Sequence, residues 1–142
     1  MTDLVARVRL TALWAALMFL YIYADFFALF PQGHLEEIIA GKMGPFDVTQ
    51  TSLFTAALLM ALPAAMVALT PLLATTLCRW VNVGMGVLFS AVNVANVIGE
   101  SWAFYLFYGA LEFVLTASIT VLAFVWLRPI AAPAQSEITP RD

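Results

Sequence analysis

Four long stretches of the chain are almost free of charged residues. Only two charges fall inside them, Asp25 in the first stretch and Glu112 in the last. A helix needs about 20 apolar residues to cross the hydrocarbon core, and lipid offers the backbone no hydrogen bonds, so such runs are expected to be helical. The sequence predicts an all-α fold, an antiparallel bundle of four transmembrane helices. These helices are predicted at about residues 9–30, 50–71, 79–99 and 102–127.

The loops are predicted to be short except for the first outer one. There, residues 33–41 read as a short amphipathic helix lying on the membrane surface, with Leu35, Ile38 and Ile39 on one face and Gly41 as its stop. Residues 1–128 are expected to form one transmembrane domain. Residues 129–142 contain three prolines among small and polar residues, and we expect a disordered cytoplasmic tail.

The composition supports a membrane protein. Of the 142 residues, 63% are hydrophobic and 11% are charged, whereas soluble domains carry about 25% charged residues. Too few charges are present to cover a water-soluble surface, which excludes a cytosolic enzyme and a secreted disulfide scaffold. The net charge of -3 with six Lys and Arg argues against nucleic acid as a partner. The single cysteine, Cys78, excludes an intrachain disulfide.

Lysine and arginine are distributed unequally between the two sides of the membrane that the four predicted spans define. One side has five of them and the other has Lys42 alone, while the Lys42 side is acidic. Basic loops stay in the cytoplasm, so both termini are expected to be cytoplasmic in a multi-pass protein of a bacterial plasma membrane. The five basic residues of the cytoplasmic side are Arg7, Arg9, Arg79, Arg128 and Arg141.

Polar residues form stripes on three of the predicted helices, and the stripe on the third contains Asn82, Ser90, Asn93 and Asn96. The second helix has Gln50, Thr51 and Thr55 near its outer end. Because polar groups facing lipid are costly, these stripes are expected to face one another. At a rise of 1.5 Å per residue, Tyr21, Ser90 and Glu112 lie at matching depths of about 13–15 Å, measured from the outer ends of their helices. The pattern predicts a polar cavity in the outer half of the bundle. The candidate ligand-binding residues are Tyr21, Asp25, Ser90, Asn93, Asn96, Glu100, Tyr105, Tyr108 and Glu112.

The two acids have no basic partner in the spans. An ionised carboxylate at the bilayer centre costs about 2.5–3.5 kcal/mol on insertion scales, so Glu112 is expected to be a neutral acid hydrogen-bonded to Tyr21, Ser90 or Tyr108. A structural role for Glu112, holding the last two helices together, is the alternative. The lone His34 with Glu37 is too little for a metal site, and no cofactor motif or nucleophile–base pair is present.

Two stretches resemble a family of small bacterial membrane proteins of unknown function. They are YIYADFFALFPQGHLEEIIAGKMGPFDVTQ and RWVNVGMGVLFSAVNVANVIGESWAFYLFYGALEF, and the resemblance covers roughly residues 10–129. It implies a four-helix integral membrane protein and supplies no activity, cofactor or catalytic residue. The helix number and size are also similar to those of DoxX-like membrane proteins.

Three functions are compatible with this pattern. The leading hypothesis is binding or transport of a small cationic or amphiphilic ligand at Asp25 and Glu112, with membrane lipid around the chain and a homodimer required for transport. The second is an accessory membrane subunit, in which the polar stripes hold helices together and small residues such as Gly86 dock a partner. The third is an enzyme acting on a lipid or quinone, with Asp25 and Glu112 as acid and base. A role without catalysis is favoured.

Overall fold

A computed structural model describes residues 2–44 and 46–126. Five helices and one small hairpin make up this part of the chain. The helices are α1 (Asp3–Phe27), α2 (His34–Ile39), α3 (Gln50–Leu69), α4 (Thr75–Asn96) and α5 (Ala103–Val125), and the antiparallel strands are β1 (Lys42–Met43) and β2 (Phe46–Asp47). The helices α1, α3, α4 and α5 are each long and apolar enough to cross a membrane, which confirms the predicted all-α four-helix fold.

The helix bounds differ from the predicted ones mainly at the N-terminus. Helix α1 begins at Asp3, well before the predicted start near residue 9, because Asp3 and Arg7 form an ion pair one turn apart within it. Helix α4 begins at Thr75 and takes in Arg79. The predicted tail, 129–142, and the predicted end of the last helix at residue 127 lie outside the described residues.

The helices do not pack as four equal neighbours. Helix α5 packs against both α4 and α1, whereas α3 packs mainly on α1 and makes little contact with α4. Only Pro63 and Met66 are buried on α3. The hydrophobic core therefore lies between α1, α4 and α5, with Trp14 and Phe89 in edge-to-face contact at its centre, their ring centroids 6.2 Å apart.

Small residues allow α4 and α5 to approach closely. A Cβ atom on Gly86 would overlap the side chain of Thr120 and would lie 3.1 Å from the backbone oxygen of Thr116. Gly109 has the same role on α5, where a Cβ would overlap Val97. Gly84, two residues away on a different side of α4, has open space around it. The small-residue pattern at Gly86 predicts close packing within or between chains, and the contact seen in the structure lies within the chain.

We expect Gly86→Leu to destabilise the bundle by about 1–3 kcal/mol, since the added side chain must push α5 away. The free energy of unfolding would be measured by titrating sodium dodecyl sulfate into protein held in dodecylmaltoside micelles. Gly84→Leu is the matched control, because it makes the same substitution on an exposed part of the same helix. Equal stability of the two variants would show that Gly86 is not a close-packing residue.

The end of the bundle opposite the first loop is where α3 and α5 terminate, and we call it the basic end. Arginine side chains there donate hydrogen bonds to backbone carbonyls near the ends of both helices. Arg7 donates to the backbone oxygens of Thr70 (2.9 Å) and Leu73 (2.8 Å), immediately after α3 ends. Arg79 donates to the backbone oxygen of Phe124, near the end of α5, at 2.9 Å. Helix C-termini leave carbonyls without intrahelical partners, so these arginines supply the missing donors.

The opposite end of the bundle, the acidic end, carries the first loop. Helix α2 follows Gly33, which has a positive φ of 93°, and His34 Nδ1 lies 2.9 Å from the backbone oxygen of Ala28. An ion pair between Lys42 and Asp47 joins the two strands of the hairpin. Thr49 then caps α3 in a capping box with Ser52. This order confirms the short helix predicted in the first loop.

Candidate functional site

Two side-chain hydrogen bonds connect α1 to α4, and these two helices run in the same direction. Near the basic end, Trp14 Nε1 donates to Asn82 Oδ1 at 2.8 Å, and nearer the acidic end the Tyr21 hydroxyl donates to Asn93 Oδ1 at 2.7 Å. Asn93 is only 1% exposed, and its Nδ2 atom has no hydrogen-bond partner among the described residues. A buried amide donor without a partner is unusual in a native structure, so this position is the first sign of a site.

Glu112 brings a carboxyl group to the same level from α5. It is 5% exposed, and its carboxyl accepts no hydrogen bond from the part of the chain that the structure describes. The partners expected from the sequence are engaged elsewhere: Tyr21 bonds to Asn93, and Ser90 bonds to the backbone oxygen of Gly86 and to Thr116 Oγ1. The prediction of a hydrogen bond from one of these hydroxyls to Glu112 is wrong, because helical depth alone does not decide where a side chain points.

Four titratable side chains interact electrostatically at this level. The charge of Asp25 acts on the Glu112 carboxyl, and the charges of both carboxyls act on the Tyr105 hydroxyl. Tyr21 feels the charge of Glu112 as well. We call the five residues Tyr21, Asp25, Asn93, Tyr105 and Glu112 the carboxyl cluster. The structure therefore brings together the two acids that the sequence singled out, together with polar groups from three helices.

The members of the carboxyl cluster differ in exposure. Asn93 and Glu112 are buried and Tyr105 is half-buried, whereas Asp25 lies exposed about one turn nearer the acidic end. Asn96, the last residue of α4, is also exposed at that end. On the other side, Trp14, Leu17, Phe89 and Ile119 are fully buried. Polar groups thus extend from the exposed acidic end to the buried Glu112, and the residues on the inner side of Glu112 are apolar.

Three other candidate residues have different surroundings. The Glu100 carboxylate accepts hydrogen bonds from the backbone N–H groups of Ser101 (2.6 Å) and Trp102 (2.9 Å), so it caps the start of α5. Ser90 lies deeper, in the contact between α4 and α5. Tyr108 stacks on Phe27, with ring centroids 6.3 Å apart. None of these three belongs to the carboxyl cluster.

The cavities nearest the candidate residues are apolar. One, of about 450 Å³ at the acidic end, is lined by aromatic residues that include Phe27 and Tyr108. The other, of about 800 Å³, lies along the contact of α1 with α5 and includes Leu13 and Phe113. Neither is lined by Asp25 or Glu112. The cysteine, histidine and carboxylate side chains that the structure describes form no group of three that could hold a metal ion.

The structural roles of two residues, Asn82 and Arg7, were not predicted from the sequence. Asn82 is a buried hub that receives the Trp14 indole, donates to the backbone oxygen of Cys78 at 2.8 Å, and contacts Thr70. Arg7 connects α1 to the chain after α3. The polar stripe on α4 already contained Asn82, but its partners Thr70 and Trp14 lie 12 and 68 residues away, and nothing local in the sequence indicates such pairs.

A family model matches the chain over residues 4–132. It describes a family of unknown function, DUF6326. The chain belongs to the DUF6326 family. This confirms the resemblance seen in the two sequence stretches, and the looser likeness to DoxX-like proteins stays a prediction. No curated protein and no solved structure matches this DUF6326 member.

Proposed function

We propose that this DUF6326 protein binds a small organic cation at the carboxyl cluster, through the acidic end of the bundle. The observation that carries the proposal is the buried Asn93 Nδ2, which has no hydrogen-bond partner among the described residues, next to the Tyr21 hydroxyl and in the same cluster as Glu112, a residue only 5% exposed. Leaving such a group unpaired costs about 1–3 kcal/mol. A bound ligand would remove that cost.

The charges favour a cation over an anion. Arg7 and Arg79 are held at the basic end, and Lys42 pairs with Asp47, so none of these three bases faces the two acids. A positive ligand would be attracted by Asp25 at the surface and would meet Glu112 inside. The Asn93 amide would donate to an acceptor atom on the same ligand, such as a hydroxyl or carbonyl oxygen.

The placement in the membrane follows from the same charge pattern. We propose a multi-pass protein of a bacterial plasma membrane with the basic end in the cytoplasm, since loops rich in Lys and Arg stay on that side. The cation would then arrive from outside the cell. An alkaline phosphatase reporter fused to the C-terminus should be inactive in this orientation, and an active fusion would contradict it.

Glu112→Gln is expected to weaken binding of benzyltrimethylammonium about tenfold, because a bound cation favours the ionised form of Glu112, and glutamine keeps the shape but cannot ionise. A tenfold loss corresponds to about 1.4 kcal/mol. Binding would be measured by isothermal titration calorimetry in uncharged dodecylmaltoside micelles. The matched control is Glu36→Gln, the same substitution on exposed α2. Unchanged affinity in Glu112→Gln, with the control also unchanged, would reject the carboxyl cluster as the cation site.

A further inference from the structure

A separate aromatic cavity lies at the acidic end, between the end of α1 and the start of α5. Its volume is about 450 Å³. Five aromatic rings line it, and we call them the aromatic cage. They are Phe27, Phe30, Trp102, Phe104 and Tyr108. Pro31 and Gln32 complete the lining, so no charged side chain is part of it.

The rings of the aromatic cage are only partly covered by protein. Phe27 is 43% exposed, Trp102 is 47% exposed, and Phe30 is 68% exposed. Phe27 and Tyr108 are stacked at an interplanar angle of 27°, whereas Trp102 and Phe104 are tilted at 57°, so one pair of rings is nearly parallel and the other is not. An aromatic face is negative, and several faces around one volume attract a cation.

Two acidic groups lie on the α5 side of the aromatic cage. The Glu100 carboxylate is 2.9 Å from the backbone nitrogen of Trp102. Glu112 lies one turn after Tyr108 on α5 and so shares its side of the helix. Negative charge beside aromatic faces favours a cation that carries apolar groups on its nitrogen, since a strongly hydrated primary ammonium gives up more water to enter.

We propose that the aromatic cage is a recognition site for a quaternary ammonium group. This inference rests on the proposed function and names the ligand class more closely. Benzyltrimethylammonium and benzylammonium carry the same charge, so the carboxyl cluster should attract both. The aromatic cage should prefer the methylated cation. The ratio of the two affinities therefore reports on the aromatic cage, and the absolute affinity reports on the carboxyl cluster.

We expect wild-type protein in dodecylmaltoside micelles to bind benzyltrimethylammonium about fivefold more tightly than benzylammonium, a difference in the range of one exposed cation–π contact. The double variant Phe27→Leu, Trp102→Leu should bring the ratio of affinities close to one, and Phe27→Tyr should retain it. Phe54→Leu, an exposed position on α3, is the matched control and should keep the wild-type ratio.

The outcomes separate the two proposals. An unchanged ratio in the double variant would overturn the aromatic cage, while the Glu112→Gln result would still decide the carboxyl cluster. A lost ratio with Glu112→Gln unaffected would support the aromatic cage and reject the carboxyl cluster. Should the double variant fail to fold, Phe27→Leu alone is expected to lower the ratio at least twofold, and no change would overturn the aromatic cage.

A quaternary ammonium group can belong to a soluble cation or to a lipid headgroup. Repeating the titration with phosphatidylcholine added to the micelles distinguishes these sources, since this lipid carries trimethylammonium and no net charge. A weaker apparent affinity for benzyltrimethylammonium would support the aromatic cage and identify the headgroup as its ligand. An unchanged affinity in wild-type protein, with the ratio still lost in the double variant, would support a soluble cation.

Discussion

Trp14→Ala is expected to lower the free energy of unfolding by about 3–5 kcal/mol, the range for removing a large aromatic side chain from a core. Trp14 is fully buried, packs edge-to-face on Phe89 and donates its indole N–H to Asn82. The alanine variant would lose the packing and would leave the Asn82 oxygen without its closest donor. Unfolding in mixed micelles of dodecylmaltoside and sodium dodecyl sulfate would measure the change.

Trp80→Ala is the matched control for this prediction, because Trp80 is 54% exposed on α4. Its removal should change stability by less than about 1 kcal/mol, as is usual for exposed positions. Trp14→Phe separates the two contributions, since it keeps most of the packing and removes only the hydrogen bond. Equal losses in Trp14→Ala and Trp80→Ala would show that the α1–α4 contact does not hold the core together.

Arg7→Met should cost about 2–4 kcal/mol of stability. The guanidinium donates to two backbone carbonyls after α3 and to Thr75 Oγ1, and it lies 5.6 Å from the centre of the Trp126 ring. Hydrogen bonds to charged groups contribute about 1.5–3 kcal/mol each when buried, and partial exposure lowers the sum. The same unfolding titration applies.

Two further variants test whether the fork shape of Arg7 matters. Arg7→Lys keeps the charge but lacks the separate Nε and Nη2 donors that bind Asp3 and Thr75, so its stability should fall between wild type and Arg7→Met. Lys42→Met is the control, because Lys42 forms an exposed pair with Asp47 at the other end. A stability loss in Lys42→Met as large as in Arg7→Met would contradict the role of Arg7.

The four spans were predictable from the sequence, because a long apolar segment in lipid satisfies its backbone hydrogen bonds by forming a helix. The stripe on α4 predicted that Asn82 and Asn93 face the interior, and both are buried. The same reasoning placed Asp25 and Glu112 near each other, because depth along a helix follows from the constant rise per residue.

What the sequence did not reveal depends on side-chain directions and on distant partners. Glu112 has none of its expected hydroxyl donors, because Tyr21 reaches across to Asn93 instead. Gln50, Thr51 and Thr55 were expected to face the other polar stripes but lie exposed on α3, because α3 packs on α1 and scarcely meets α4. The order of helices around the bundle decides these contacts, and hydrophobic periodicity carries no information about that order.

The packing of α1 against α5 has a consequence for biosynthesis. The first span of the chain rests mainly on the last one, and its Trp14 and Tyr21 side chains bond to α4. These partners on α4, and then α5 itself, are synthesised after α1. A nascent chain that stops short of α5 therefore keeps the contacts of α1 with α3 and α4 but exposes to lipid the side of α1 that α5 covers.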